Sequence, residues 1–179
     1  LDDADMATAV NCAVNGGYFS TGQRCTASSR IIVESGVHDD FVYNLAKTLA
    51  DLRVGDARDK TTQIGPVVDQ KQLDQDLRYL TIGQDEGATL LTGGERLELP
   101  TPGYYLTPAL FVGTQNEMRI NQEEIFGPIA SVIRVADFDE AVAVANDTPF
   151  GLSAGICTRS LSASSRFRQD CEAGMIMVN

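Results

Sequence analysis

The sequence has no tryptophan, a single histidine, and 14 basic residues against 25 acidic ones in a chain of 179, for a formal net charge of -11. Each shortage excludes something. Binding phosphate needs clustered Lys and Arg, so this balance argues against a nucleic-acid or anionic-membrane partner. No apolar run approaches the ~20 residues that cross a bilayer, and no charged-then-apolar leader opens the chain. The four cysteines, Cys12, Cys25, Cys157 and Cys171, lie far apart without CxxC spacing. That pattern removes zinc and dithiol frameworks, and no metal site is expected. Dispersed cysteines in a chain large enough to fold without crosslinks point to a reducing, cytoplasmic compartment. Neither "NGGY" nor "TGGE" has the GxGxxG pattern or its strand-to-helix setting, so a phosphate-cradling loop is missing too.

What remains is ordinary globular composition, 43% apolar and 22% charged, in a length that suits one domain, read as residues 1–179. "RIIVES" is short, β-branched and bounded by polar residues, which predicts a strand. Phe41, Leu45, Leu49 and Leu52 then recur at helical spacing, with Gly55 as the expected stop. Leu73, Leu77 and Leu80 repeat the pattern up to Gly83. "DADMATAVNCAVNGGYF" reads as a helix that delivers the chain to Cys25. "PIASVIRVA" predicts a buried strand, and Asp137 with Glu140 three residues on gives a capping-box start to the next helix. "LSAGICT", "SLSASSRFRQDCEAG" and "MIMVN" follow as strand, helix and strand. Strands without polar alternation, separated by helices, indicate an α/β fold with a largely parallel sheet and helices on both faces. The chain begins at Leu1 rather than Met and ends just after "MIMV", expected to be a buried strand; it reads as a piece of a longer protein.

Two stretches carry chemistry. In "STGQRCTASSR", Cys25 stands among small hydroxyl residues after Gly22, with Arg24 beside it. A neighbouring cation favours thiolate, so this is either a reactive, open thiol or a small side chain turned into the core. A nucleophile usually needs a base, and His38 is the one imidazole. It opens a helix beyond a whole strand, roughly 15–20 Å along, and capping or surface exposure suits it better. In "NQEEIFGPIASVI", a Gly-Pro step fixes the direction of the residues before it. It presents Glu124 and Phe126 at the mouth of a sheet, where α/β ligand sites gather. A carboxylate accepts both hydroxyls of a ribose and a ring packs on a flat heterocycle. The alternative is a solvated acid pair with Phe126 in the core.

Taken together, "GQRCTASSR", "EGATLLTGG", "NQEEIFGPIASVI" and "AGMIMVN", in this order, closely resemble the aldehyde dehydrogenase superfamily, over essentially the whole chain. The resemblance implies the family's catalytic domain, with a dinucleotide-binding domain and an oligomerisation tail outside this chain. It implies that Cys25 is the nucleophile, that Glu124 and Phe126 contact the nicotinamide side of NAD or NADP, and that a small-molecule aldehyde is the substrate. The activating glutamate and the oxyanion asparagine of the family precede Leu1, so the chain by itself is expected to be inactive. "GYFSTGQRCTASSR" and "NDTPFGLSAGICT" look most like the α-ketoglutaric semialdehyde dehydrogenases, and Arg24 would suit a substrate with a distant carboxylate. Members of the family assemble as dimers or tetramers, which makes a homo-oligomer the expected partner state. Two other classes stay open on the residues alone: a Cys-dependent hydrolase or acyl-transfer domain using His38, and a non-catalytic interaction module.

Overall fold

The computed structural model describes residues 1–179. In chain order its elements are α1 (Met6–Gly17), β1 (Arg30–Glu34), α2 (His38–Ala50), α3 (Gln70–Asp85), β2 (Thr89–Thr92), β3 (Arg96–Leu97), β4 (Tyr105–Leu106), β5 (Ala109–Thr114), α4 (Arg119–Gln122), β6 (Ile129–Val135), α5 (Phe138–Asn146), β7 (Ser153–Ile156), α6 (Leu161–Asp170) and β8 (Met175–Val178). No helix is long and apolar enough to cross a membrane.

The central sheet has the strand order β1-β6-β5-β2. β1, β6 and β5 are parallel, and only β2 runs against its neighbour. β6 is buried at every position but Arg134, as a strand paired on both edges and covered on both faces must be. Alternate side chains enter two different cores. Leu110, Ala130 and Val132 turn toward α1 and α2, where Val10, Val14, Phe41, Leu45 and Leu49 meet them. Ala109, Phe111 and Ile129 turn the other way, toward Leu73, Tyr79 and Leu80 of α3. Each large side chain removed from water here contributes roughly 1.5–3 kcal/mol. Helices on both faces of a largely parallel sheet are therefore what the apolar strands and helical periodicities produce.

Helix boundaries follow local chemistry. Asp69 caps α3 by accepting from the Gln72 amide, 2.8 Å. Asp137 caps α5 by accepting from the Glu140 amide at 3.0 Å, as the sequence predicts, while Glu140 Oε2 accepts from Ala136 N at 2.5 Å, one residue before the cap rather than the cap's own amide. Two expected stops are displaced. α2 ends at Ala50, well before Gly55. α3 runs through Gly83, where a methyl group would lie 2.8 Å from Phe111 Cζ. Gly83 is thus a packing requirement rather than a stop, and the left-handed turn comes at Gly87, φ +94°.

The last third departs from expectation in one respect. β7 and β8 pair in parallel with each other, not with the main sheet. Both edges of β6 are taken by β1 and β5, so β7 cannot pair beside the strand that precedes it in sequence. The small sheet, with α5 and α6, encloses only Val142, Ile156 and Phe167 as a satellite core. β8, expected to be buried, has Met175 and Met177 at 46% and 43% exposure. A two-stranded sheet next to so small a core cannot cover both of its faces.

Candidate active site

The Cys25 loop and the Glu124–Phe126 turn lie at the same edge of the sheet. The first leads into β1 and the second into β6, and these strands pair in parallel with Arg30 opposite Ser131. Ser131 N donates to Ser29 O at 2.9 Å, joining the loop to the strand beside it. The motifs therefore meet at the amino-terminal ends of the strands. Ligand sites of open α/β sheets gather at the carboxyl ends of the strands, so this edge is the opposite of the usual one.

The loop is held in an unusual backbone path. Ser20, Thr21 and Gly22 have φ values of 58°, 59° and 66°, three successive left-handed residues, of which only glycine adopts that region freely. Hydrogen bonds fix them: Gly22 N to Tyr18 O at 3.2 Å, Thr21 Oγ1 to Gly65 O at 3.3 Å, and Val68 N to Gln23 Oε1 at 3.0 Å. Tyr18, fully buried, donates its hydroxyl to Ala109 O at 3.0 Å and so ties the end of α1 to the start of β5. Gly22 fits because it lacks a side chain. A methyl there would overlap the Gly127 carbonyl oxygen. The loop before Cys25 and the turn after Phe126 are thus in direct backbone contact.

Cys25 itself occupies the centre of a reverse turn closed by Ala27 N to Arg24 O at 2.9 Å, and it is exposed. Cys12, Cys157 and Cys171 are each partly buried. Burial pushes the Cys157 thiol up to about 11, with the Cys12 thiol beside it adding to the effect. Of the two sequence readings for Cys25, the open thiol is the one the fold adopts.

Arg24 is exposed, and its Nη2 donates to the backbone oxygens of Asn15 and Gly16 (3.1 Å to Gly16). A cation on the carbonyl end of α1 is favourable for the helix dipole. It also clamps the residue next to Cys25, and only Nη2 is engaged in this way.

The two adjacent carboxylates have different fates. Glu123 accepts from Arg119 Nε at 2.9 Å and from the Tyr79 hydroxyl at 2.7 Å. Arg119 first and Tyr79 second hold its carboxyl below the usual range. Glu124 is exposed and makes no hydrogen bond or ion pair. Phe126 is half-buried with φ 62°, a conformation rare for an aromatic residue and found where surroundings over-determine it. Neither simple alternative from the sequence holds: one acid is structural, one is free, and the ring is only partly in the core.

His38 lies at the opposite end of the sheet. It neither caps α2, whose N-cap is Val37, nor lies on the surface, the two roles expected; it is buried at the start of α2 beside Arg134 of β6. There Nδ1 meets Arg134 Nη2 at 2.7 Å and Asp39 Oδ1 at 2.8 Å. The full length of β1 separates it from the Cys25 loop, so the structure gives a Cys-His pair no support. No group of three or more His, Cys, Asp or Glu side chains is placed to hold a metal ion.

Sequence reasoning missed Asp76 of α3. Its side chain is fully buried, and a methyl at Gly127 would overlap its carboxyl group. Gln72 Nε2 donates to Asp76 Oδ1 at 2.8 Å and to Ile125 O at 3.0 Å. Gln75 Nε2 reaches the same carbonyl at 2.8 Å. Asp76 Oδ2 has no partner. Burial, opposed only by the Gln72 hydrogen bond, raises this carboxyl to about 7. The available signal was its place on the apolar stripe, three residues after Leu73 and four before Leu80.

Known proteins are similar to this chain in sequence and in fold. The chain is 42% identical to the alpha-ketoglutaric semialdehyde dehydrogenase of Bacillus subtilis over 180 residues, covering 99% of this chain and 37% of that protein. It is 44% identical to the alpha-ketoglutarate semialdehyde dehydrogenase of Haloferax volcanii, with the same coverage. Among solved structures, HpcC from Thermus thermophilus superposes with a TM-score of 0.95 at 41% identity, over 98% of this chain and 35% of that one. Betaine aldehyde dehydrogenase from Staphylococcus aureus in complex with NAD+ gives 0.96 at 32% identity, over 99% and 36%. The chain therefore spans little more than a third of the length of these relatives. The family description "Aldehyde dehydrogenase family" matches residues 1–179 without a break, and with the exposed thiol and the Glu124–Phe126 turn brought to one sheet edge, the chain belongs to the aldehyde dehydrogenase family.

Proposed function

We propose that this chain supplies the nucleophile and the nicotinamide-side cofactor contacts for NAD(P)-dependent oxidation of an aldehyde to its carboxylic acid. The observation that carries the proposal is the backbone contact of Gly22 with Gly127, which joins an exposed thiol to an uncommitted carboxylate and a half-buried ring. The residues fit a nicotinamide nucleotide. Glu124 has both carboxylate oxygens free for ribose hydroxyls, and Phe126, held by its positive φ, offers a ring to a flat heterocycle.

Cys25 Sγ, as thiolate, adds to the aldehyde carbon, forming the C–S bond and placing a negative charge on the former carbonyl oxygen. When bound, NAD or NADP supplies the acceptor for the hydride that leaves this carbon. Cys25 then retains the acyl group as a thioester, and water releases the carboxylic acid and restores the thiol. Arg24 fixes the turn that presents the sulfur. Completion of the cycle calls on a base and an oxyanion donor in the other two-thirds of the family fold, so these 179 residues alone are expected to bind and react but not turn over.

For the substrate we favour a carboxylate-bearing semialdehyde, in the class of α-ketoglutaric semialdehyde. Two relatives named for that substrate are 42% and 44% identical, and the exposed Arg24 cation stands next to the nucleophile. In the full-length protein, aldehyde-dependent NAD(P)H formation is expected, with a preference for semialdehydes over uncharged aldehydes of similar length. Cys25→Ala should abolish it. Activity that survives this substitution sinks the nucleophile assignment.

A further inference from the structure

We propose that Asp76 is a positioning residue for the cofactor turn: its buried carboxyl, wedged between α3 and the Gly127 backbone, sets the pose from which Glu124 and Phe126 meet the nicotinamide nucleotide. This rests on the functional reading above and assigns Asp76 no contact with substrate.

The connection is physical and short. The Asp76 carboxyl lies directly against Gly127, leaving no room for a side chain. It also anchors the Gln72 amide, and that amide bonds the carbonyl of Ile125, the residue before Phe126. Gln75 secures the same carbonyl from the next position on the helix. Phe126 is held at φ 62°, a pose that relaxes once its supports loosen. The turn in turn grips Gly22, so the pose extends to the Cys25 loop.

The charge state of Asp76 matters because nothing neutralises it. Asp74, Arg78 and Tyr79 share α3 with it, Glu123 and Glu124 come from the turn, and Arg24 and Cys25 come from the loop. Asp74 is bonded to Gln70, and Glu123 to Arg119 and Tyr79. None of these groups pairs with Asp76, and Oδ2 is orphaned. A neutral carboxyl is tolerated there, whereas a carboxylate is an uncompensated buried charge pressed against backbone. Burial raises this group to about 7, so the support loosens as pH rises through neutrality.

The test uses the full-length wild type, Asp76→Asn and Asp76→Ala. Two quantities are measured between about pH 6 and about pH 8.5: the dissociation constant for NADH, by its fluorescence, and amide hydrogen exchange over residues 123–128, corrected for the intrinsic pH dependence. In the wild type, NADH binding should weaken at least about threefold across this range and protection of the turn should fall in parallel, as linkage requires. Asp76→Asn, a neutral isostere, should be flat in both and match wild type at low pH. Asp76→Ala should bind weakly at every pH. Asp76→Asn that keeps the wild-type pH dependence overturns the proposal, as does a wild type that is flat in both quantities. Should NADH bind to none of the proteins, the functional reading falls, and hydrogen exchange still decides the positioning role. Should Asp76→Ala fail to fold, the wild-type and Asn titrations decide it alone.

Discussion

Replacing Gly22 by alanine puts the most direct question to the site. The residue has φ 66°, and a left-handed backbone costs an L-residue about 1–2 kcal/mol. A methyl there would fall inside the 3.0 Å that real Cβ atoms respect, against the Gly127 carbonyl oxygen, and 3.1 Å from Gly17 O. Both obstacles are backbone atoms, so no rotamer change relieves them, and overpacking of this kind adds about 1–3 kcal/mol. The expected loss is about 2–5 kcal/mol, a large share of the stability of a domain this size. Urea-induced equilibrium unfolding measures it, with Gly36→Ala as the control. Nothing lies within 4 Å of a methyl at Gly36 and its φ is not left-handed, so that substitution should be neutral or slightly stabilising. Gly22→Ala should also change the rate at which iodoacetamide alkylates Cys25, since the loop must shift to admit the methyl. A Gly22→Ala protein as stable as the Gly36→Ala control refutes the claim that the loop and the turn are locked through this contact.

The other predictions are simpler. At neutral pH iodoacetamide should label Cys25 first, because the remaining cysteines are partly buried and the Cys157 thiol is pushed up to about 11; equal labelling of all four by mass spectrometry contradicts this. Glu124→Gln should weaken NADH binding in the full-length protein, whereas Glu123→Gln should release Arg119 and Tyr79 with little effect on binding; the reverse order would exchange their roles. For Asp76, the folded carboxyl at about 7 lies above the 3.8 of the unfolded chain, so the folded state keeps a proton that the unfolded state gives up, and stability falls as pH rises from about 4 to about 7. Asp76→Asn should therefore gain about 3 kcal/mol relative to wild type between about pH 5 and about pH 8, read from urea midpoints; a gain independent of pH would show that Asp76 is ionised throughout.

Much of this architecture was legible from residue spacing. Phe41, Leu45 and Leu49 place α2, Asp137 and Glu140 place the start of α5, and the apolar run 129–135 places the central strand. What escaped depended on partners distant in sequence. That β7 pairs with β8 rather than with the main sheet is a fact of long-range pairing that no local pattern records. The solvation of "MIMV" has the same origin. Gly83 looks like a stop in sequence and is a packing glycine only because Phe111 crosses above it. The residues alone gave the site as two motifs, and only the family resemblance joined them into one place. Glu123 and Glu124 are chemically identical in the sequence, and it takes Arg119 and Tyr79 to separate them. Asp76 was visible as a carboxylate among leucines on α3, and its meaning depends on Gly127, which arrives from another part of the chain.

The pairing of β1 with β6 joins residues roughly a hundred positions apart, Arg30 opposite Ser131. Such long-range closure is among the slow events of folding, since the entropy of the intervening loop must be overcome before any contact rewards it. The environment of Cys25 is thus assembled late. The loop that exposes Cys25 takes its place only when two strands from opposite halves of the sequence have found each other.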